Sequence, residues 1–186
     1  RIPFARFFLN TIVFAVGVTA ISLTLDSFAA YAFARLEFWG RDVLFTLVLI
    51  TLMLPFQVSM VPLFGLLNSF GWLDSYAGLI IPRASNAFGI FFLRQFFRGI
   101  PTELEDAAFV DGASTWRIYW QIILPLSKSA IATLTIFHFM YNWNDFLWPL
   151  IMTTTTEMRT LPTGLALFMG QHVVEYAVLM AGVVLS

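Results

Sequence analysis

The chain has 186 residues, a length that allows one domain. Hydrophobic residues make up 59% and charged residues 11%, against about 25% charged in soluble domains, so the composition is that of a membrane protein. The net charge of −1 gives no support to nucleic-acid binding, and the absence of cysteine excludes a disulfide frame, a thiolate metal site and a cysteine nucleophile. The two histidines, His138 and His172, are too few for a histidine-rich metal site.

In chain order, the first apolar run, residues 7–33, predicts a membrane-spanning helix. It carries one acid, Asp26, for which two readings stand. Either it sits close enough to the interface, or to Ser22 and Ser27, to be satisfied locally, or it makes a polar contact inside the bundle, since intramembrane acids face protein or water. Ala29, Ala30, Ala32 and Ala34 let another helix approach closely. Residues 35–42 form a short charged loop. The second span, 43–67, is interrupted by Pro55 and Pro62, whose missing donors free carbonyls. It is either a kinked packing helix or a bent helix lining a translocation path, with Gln57 and Ser59 facing that path. Residues 68–75 are a polar turn. The third span, 76–97, is broken at one end by Pro82, Arg83 and Asn86, so its membrane portion begins nearer Ala84. Arg94 and Arg98 mark its other end.

Residues 103–130 form the longest polar interval, and they predict a short helix, a glycine turn and a second short helix. Pro101 suits a first helical turn. Glu103, Glu105 and Asp106 place negative charge where a helix N-terminus favours it. Gly112 is placed to stop the helix in a left-handed conformation, where a side chain would oppose the positive φ and crowd the turn. Ser114 or Thr115 can cap the second helix, whose stripe is Trp116, Tyr119, Trp120 and Ile123, and Pro125 closes it. The acids and Arg117 can set polar register at the rim of an interface. Ala107 and Ala108 leave a shallow surface on the first helix.

The fourth span covers residues 126–150 and ends in Asn142, Trp143, Asn144 and Asp145, with Trp148 beside Pro149. Polar groups beside aromatic faces suit a carbohydrate; Trp near the interface is also the ordinary aromatic belt. The tract can equally contact a substrate-delivering protein or shape an outer gate. His138 is read as packing within the bundle. Residues 153–162 form a loop, 164–170 a short helix, and a fifth span starts near Val173. Taken over alternate loops, Arg35, Arg41, Arg94, Arg98, Arg117 and Lys128 face Arg1, Arg6, Arg83 and Arg159, a bias that places the helix–turn–helix in the cytoplasm.

The run Asp106-Ala107-Ala108, three residues, Gly112, nine residues, Ile122, one residue, Leu124-Pro125 resembles the EAA loop of ATP-binding-cassette importer permeases. Asp106 stands for the literal glutamate, with Glu105 beside it, and Ser129 stands where a proline often follows. Asp111-Gly112-Ala113 and the tract from Asn142 to Leu150 are similar to the carbohydrate-uptake branch, that of the smaller maltose-permease subunit. The resemblance implies an all-α polytopic transmembrane helical bundle with a cytoplasmic helix–turn–helix coupling loop at residues 101–125. It implies a multi-pass subunit of the bacterial or archaeal plasma membrane. Its partners would be ATPase subunits, a second and different permease subunit, an extracytoplasmic solute-binding protein and the lipid bilayer. Residues 106–124 would dock in a cleft of an ATPase, through Glu105, Asp106, Ala107, Ala108, Asp111, Gly112, Ala113, Ile122, Leu124 and Pro125. Gln57, Asn142, Trp143, Asn144 and Asp145 are candidates for the substrate path or outer gate. No catalytic pair, metal or cofactor is expected. The chain carries no Gly-x-x-x-x-Gly-Lys-Ser/Thr loop, so ATP hydrolysis by that route falls to another chain. The expected whole is a single transmembrane permease domain of about five spans, a fragment of a longer protein. The competing reading is a secondary transporter or channel using Asp26 and His138 for ion coupling.

Overall fold

The computed structural model describes residues 3–171. The expected fifth span and His172 lie outside them. The described residues are helical, with no strand among them. The helices, with residue ranges, are α1 (Phe4–Arg35), α2 (Arg41–Met53), α3 (Phe56–Ser69), α4 (Tyr76–Ile80), α5 (Ala87–Arg98), α6 (Glu103–Val110), α7 (Thr115–Ile118), α8 (Leu124–Leu126), α9 (Lys128–Trp143), α10 (Leu147–Met152) and α11 (Leu161–Gln171). The 32 residues of α1 reach about 48 Å, more than a bilayer's hydrocarbon core. It is the one described helix long and apolar enough to cross a membrane; counting each bent helix pair as one span brings the total up to four.

Proline acts differently at its two positions after α2. Leu54, held extended before Pro55 at φ −84° and ψ 118°, ends α2. Pro62 sits inside α3 and does not break it. The expected double interruption is therefore a single break. The third expected span is broken where its sequence suggests: α4 runs into a 3₁₀ turn at Ile81–Arg83, and α5 restarts at Ala87, capped by Asn86. The fourth is shorter than expected, because α9 stops at Trp143 and α10 begins afresh at Leu147.

The chain divides into two compact units. The first holds, of the described residues, 3–20, 56–84 and 137–171. Its core is Phe14, Val18, Leu67, Leu79, Trp148 and Met152. Trp148 is fully buried and donates Nε1–H to the Leu79 carbonyl at 2.9 Å. Gly78 permits this packing, since a Cβ there would run into the Trp72 carbonyl oxygen and lie 3.1 Å from Met152 Cε. Asn10 donates to the Glu157 and Arg159 carbonyls at 2.8 and 2.9 Å and accepts from Tyr76 Oη at 2.7 Å. One buried amide thus fastens the segment before α11 to α1.

The second unit holds residues 21–55 and 85–136. Ala30, Tyr31, Leu93, Phe97, Ile100, Ile118, Tyr119, Ile123, Ala130 and Leu134 form its core. Arg94 is buried here, its guanidinium 3.8 Å from the Phe45 ring centre and its Nε donating to the Phe33 carbonyl at 3.1 Å. Asp26 is fully buried, and its Oδ1 accepts from Ser85 Oγ at 2.7 Å and from the Asn86 N–H at 2.9 Å. The polar contact to another part of the bundle is thus present.

Candidate functional site

The segment joining α5 to α9 folds as a helix, a tight turn and a second helix. Its first helix starts at Glu103, so Pro101 lies ahead of the Thr102 cap rather than in the first turn. Glu103, Glu105 and Asp106 occupy that turn. The helix ends in a Schellman motif: Ala113 N–H donates to the Ala108 carbonyl at 2.9 Å and Gly112 N–H to that of Phe109 at 3.0 Å. This closure needs a left-handed residue, and Gly112 has φ +79°. A Cβ at Gly112 would meet nothing within 4 Å. The expected crowding is absent within the chain; the constraint on this position is torsional.

Ser114 caps the second helix, its Oγ accepting the Arg117 N–H at 3.4 Å. After α7 the chain widens into a π-helical turn at Tyr119–Ile123, then continues through α8 to Leu126. Pro125 does not close the helix as expected. It has no N–H to give a carbonyl in the preceding turn, and a π turn next to it relieves that mismatch. The break comes at Ser127.

On α6, Glu103, Asp106, Ala107 and Val110 are all exposed. Their i, i+3, i+4, i+7 spacing makes one outward stripe, acidic at one end and apolar at the other. The alanine pair divides: Ala107 faces out, while Ala108 packs on the core with Ala113, Ile122 and Leu124. Asp111, Gly112 and Pro125 are exposed. Trp116 and Trp120 are exposed on one side, yet both rings meet Phe28 edge-on, at 5.5 and 6.3 Å.

Glu105 points the other way from its acidic neighbours. It is buried, its Oε1 lies 2.6 Å from Arg35 Nε, and its Oε2 accepts from Tyr31 Oη at 3.3 Å. Burial pushes its carboxyl above the ordinary value, and the nearby Asp106 charge adds to that. The Arg35 charge and the Tyr31 hydrogen bond oppose the rise without cancelling it. Arg35, Tyr31, Ser27 and Tyr119 were not singled out as site residues from the sequence. The signal was present in the four-residue spacing of Ser27, Tyr31 and Arg35.

The second candidate group lies in the first unit. Asn142 is buried and donates to the His138 carbonyl at 2.7 Å; Asn144 is exposed and donates to that of Met140 at 2.8 Å. Trp143 stacks on Phe139 at 5.4 Å and meets Phe8 edge-on at 5.8 Å. Asp145 accepts the Trp148 N–H in the first turn of α10 at 3.3 Å and pairs with Arg83 at 3.1 Å. Arg83 lies 5.3 and 5.2 Å from the ring centres of Phe56 and Tyr141. Gln57 is exposed in the first turn of α3. The fully buried Trp148 offers no ring face to a solute. Among the described residues, no three His, Asp or Glu side chains converge as metal ligands.

Residues 22–186 match the family described as binding-protein-dependent transport system inner membrane component. The chain is 37% identical over 181 residues to the arabinooligosaccharides transport system permease protein of Bacillus subtilis, covering 97% of this chain and 64% of that protein. It is 39% identical over 163 residues to the sn-glycerol-3-phosphate transport system permease protein of Yersinia pestis, covering 88% and 58%. A chain in the crystal structure of a bacterial ABC transporter involved in the import of the acidic polysaccharide alginate superposes with TM-score 0.84 at 31% identity, over 98% of this chain and 64% of that one. The chain thus spans roughly three-fifths of the length of the curated relatives it matches. An all-helical fold with broken apolar helices and a Schellman-turned connector, matched over most of its length, belongs to the family of binding-protein-dependent transport system inner membrane components.

Proposed function

We propose that this chain is the membrane-spanning part of a permease subunit in an ATP-driven importer of sugars or related polyols. It sits multi-pass in a bacterial or archaeal plasma membrane, with residues 101–125 on the cytoplasmic side. Its partners are a second, different permease subunit, two ATPase subunits and an extracytoplasmic solute-binding protein. The observation that carries this is the outward stripe Glu103, Asp106, Ala107 and Val110 beside the Gly112 turn. A small-residue surface flanked by acids suits a shallow cleft on another protein, with charge setting register. Movement of the ATPases would tilt the connector and, through it, the spans. Gln57 and the group from Asn142 to Asp145 are assigned to the substrate path or outer gate.

The test is uptake by the full-length permease, reconstituted with its ATPase and solute-binding partners. Accumulation should require ATP inside the ATPase compartment and vanish without the ATPase. Accumulation driven by an ion gradient alone would overturn the reading. Asp26 gives that competing mechanism little support, because its carboxylate is committed to Ser85 and Asn86.

A further inference from the structure

Ser27, Tyr31 and Arg35 stand four apart on α1 and so line one face of it. Ser27 holds the second connector helix, while Tyr31 and Arg35 both hold Glu105 on the first, and Arg35 also reaches the end of α5 and Ile100 beyond it. Ser27 Oγ lies 2.7 Å from Tyr119 Oη, in the π turn of the second connector helix. Tyr31 Oη donates to Glu105 Oε2, on the first connector helix. Arg35 pairs with the other oxygen of Glu105, and its Nη2 donates to the Phe97 and Ile100 carbonyls at 2.8 and 2.5 Å. Apolar contacts fill the spaces between. Tyr31 lies 5.2 Å from the Tyr119 ring and 6.5 Å from that of Phe97, and Phe28 lies 5.2 Å from Tyr119.

Three points spread over about 12 Å of helix resist both sliding and rotation. A single point would allow either. Ser27, Tyr31, Tyr119 and Glu105 are all at most 6% exposed. A buried ion pair adds little net stability over well-packed apolar groups, but a shift in register breaks it at high cost. Such a contact defines a position more than it strengthens a fold. The connector is covalently continuous with α5 and α9; α1 is remote in sequence and reaches it through this ladder and the apolar contacts between its rungs.

We propose that Ser27, Tyr31 and Arg35 are positioning residues that join α1 to both connector helices as one rigid body, so that α1 follows the connector directly. This rests on the reading of the connector as the coupling element. It adds a third driven helix to the two that flank the loop.

The absence of cysteine permits a clean test in the full-length permease assembled with its partner subunits. Phe28→Cys and Trp116→Cys, which replace two rings that meet edge-on across the joint at 5.5 Å and leave the three positioning residues intact, are introduced together and bridged by a short bifunctional maleimide. A rigid joint predicts that the bridged complex transports within about twofold of the unbridged one, as expected when no relative motion is blocked. Loss of uptake on bridging, with the unbridged pair active, would overturn it. Separately, Arg35→Ala should lower solute moved per ATP hydrolysed by about tenfold, within the usual range of a coupling free energy. Arg35→Lys should restore part of that ratio, which a purely structural defect would not. An unchanged ratio in Arg35→Ala also overturns the proposal. Failure of the coupling reading looks different: ATP hydrolysis and uptake would be unlinked in the unmodified complex.

Discussion

Arg83 and Asp145 are ion-paired at 3.1 Å, with both side chains only 12% exposed. The pair joins the 3₁₀ end of the broken third span to the start of α10. It also fixes the guanidinium beside Phe56 and Tyr141. Removing the acid alone leaves a charge in a dry setting. Asp145→Ala is therefore expected to destabilise the detergent-solubilised protein by roughly 3 kcal/mol, as for other broken buried pairs. Thermal unfolding would show it. A double replacement, Arg83→Met with Asp145→Leu, should recover most of that loss. If the double variant is no better than the single one, the pair does not govern stability here.

Gly112 separates two kinds of strain. No atom lies within 4 Å of a Cβ built there, and φ is +79°. Gly112→Asn should be nearly neutral for folding, because Asn tolerates the left-handed region. Gly112→Ala should cost about 1 kcal/mol. Gly112→Trp should reach the membrane at near-normal levels yet uncouple ATP hydrolysis from uptake, because a bulky ring at this exposed turn stands in the way of a docking partner. Normal uptake by Gly112→Trp would end the assignment of this turn to an interface.

Asp74 has a left-handed backbone, φ +53°, and holds the segment after α10. Its Oδ1 accepts the Thr154 and Thr155 N–H groups at 2.7 and 2.8 Å and the Thr155 hydroxyl at 2.9 Å. The small burial of this carboxyl raises its pKa, but the threonine donors outweigh that and hold it below 3.8. A lowered carboxyl contributes stability above its unfolded value, and that contribution is lost as pH falls through the folded value. Exchange protection of the Thr154 and Thr155 amides should accordingly be constant at neutral pH and drop under acid. Asp74→Leu should remove it at every pH. Equal protection in Asp74→Leu would show that the segment holds itself.

Asp26 distinguishes structure from ion coupling. Its carboxylate receives Ser85 Oγ–H and the Asn86 N–H at the head of α5. Asp26→Asn keeps an acceptor oxygen in place and should retain most uptake. Asp26→Ala removes the acceptor of two part-buried hydrogen bonds and should lower the unfolding temperature. A stable but inactive Asp26→Asn would instead assign the charge to transport.

Much of the helical layout is legible from local chemistry. Apolar runs bounded by Arg and Gly give α1 and α2, a pre-proline residue cannot stay helical at Leu54, and only Gly fits easily at the left-handed exit of α6. These depend on torsions and neighbours within a few residues. Pro62 and Pro125 mark where that reasoning stops, since a helix can absorb a proline when the next turn rearranges.

By itself, the order of residues determined the membrane class, the breaks at Pro55 and ahead of α5, and the glycine-hinged connector, because each is settled by backbone torsion or by water's exclusion of apolar side chains. Only the tertiary structure decided that Glu105 turns inward to Arg35 while Glu103 and Asp106 stay outside, although all three occupy the same helical turn. Periodicity says which residues share a face. The direction a buried charge takes depends on a partner brought near from far along the chain.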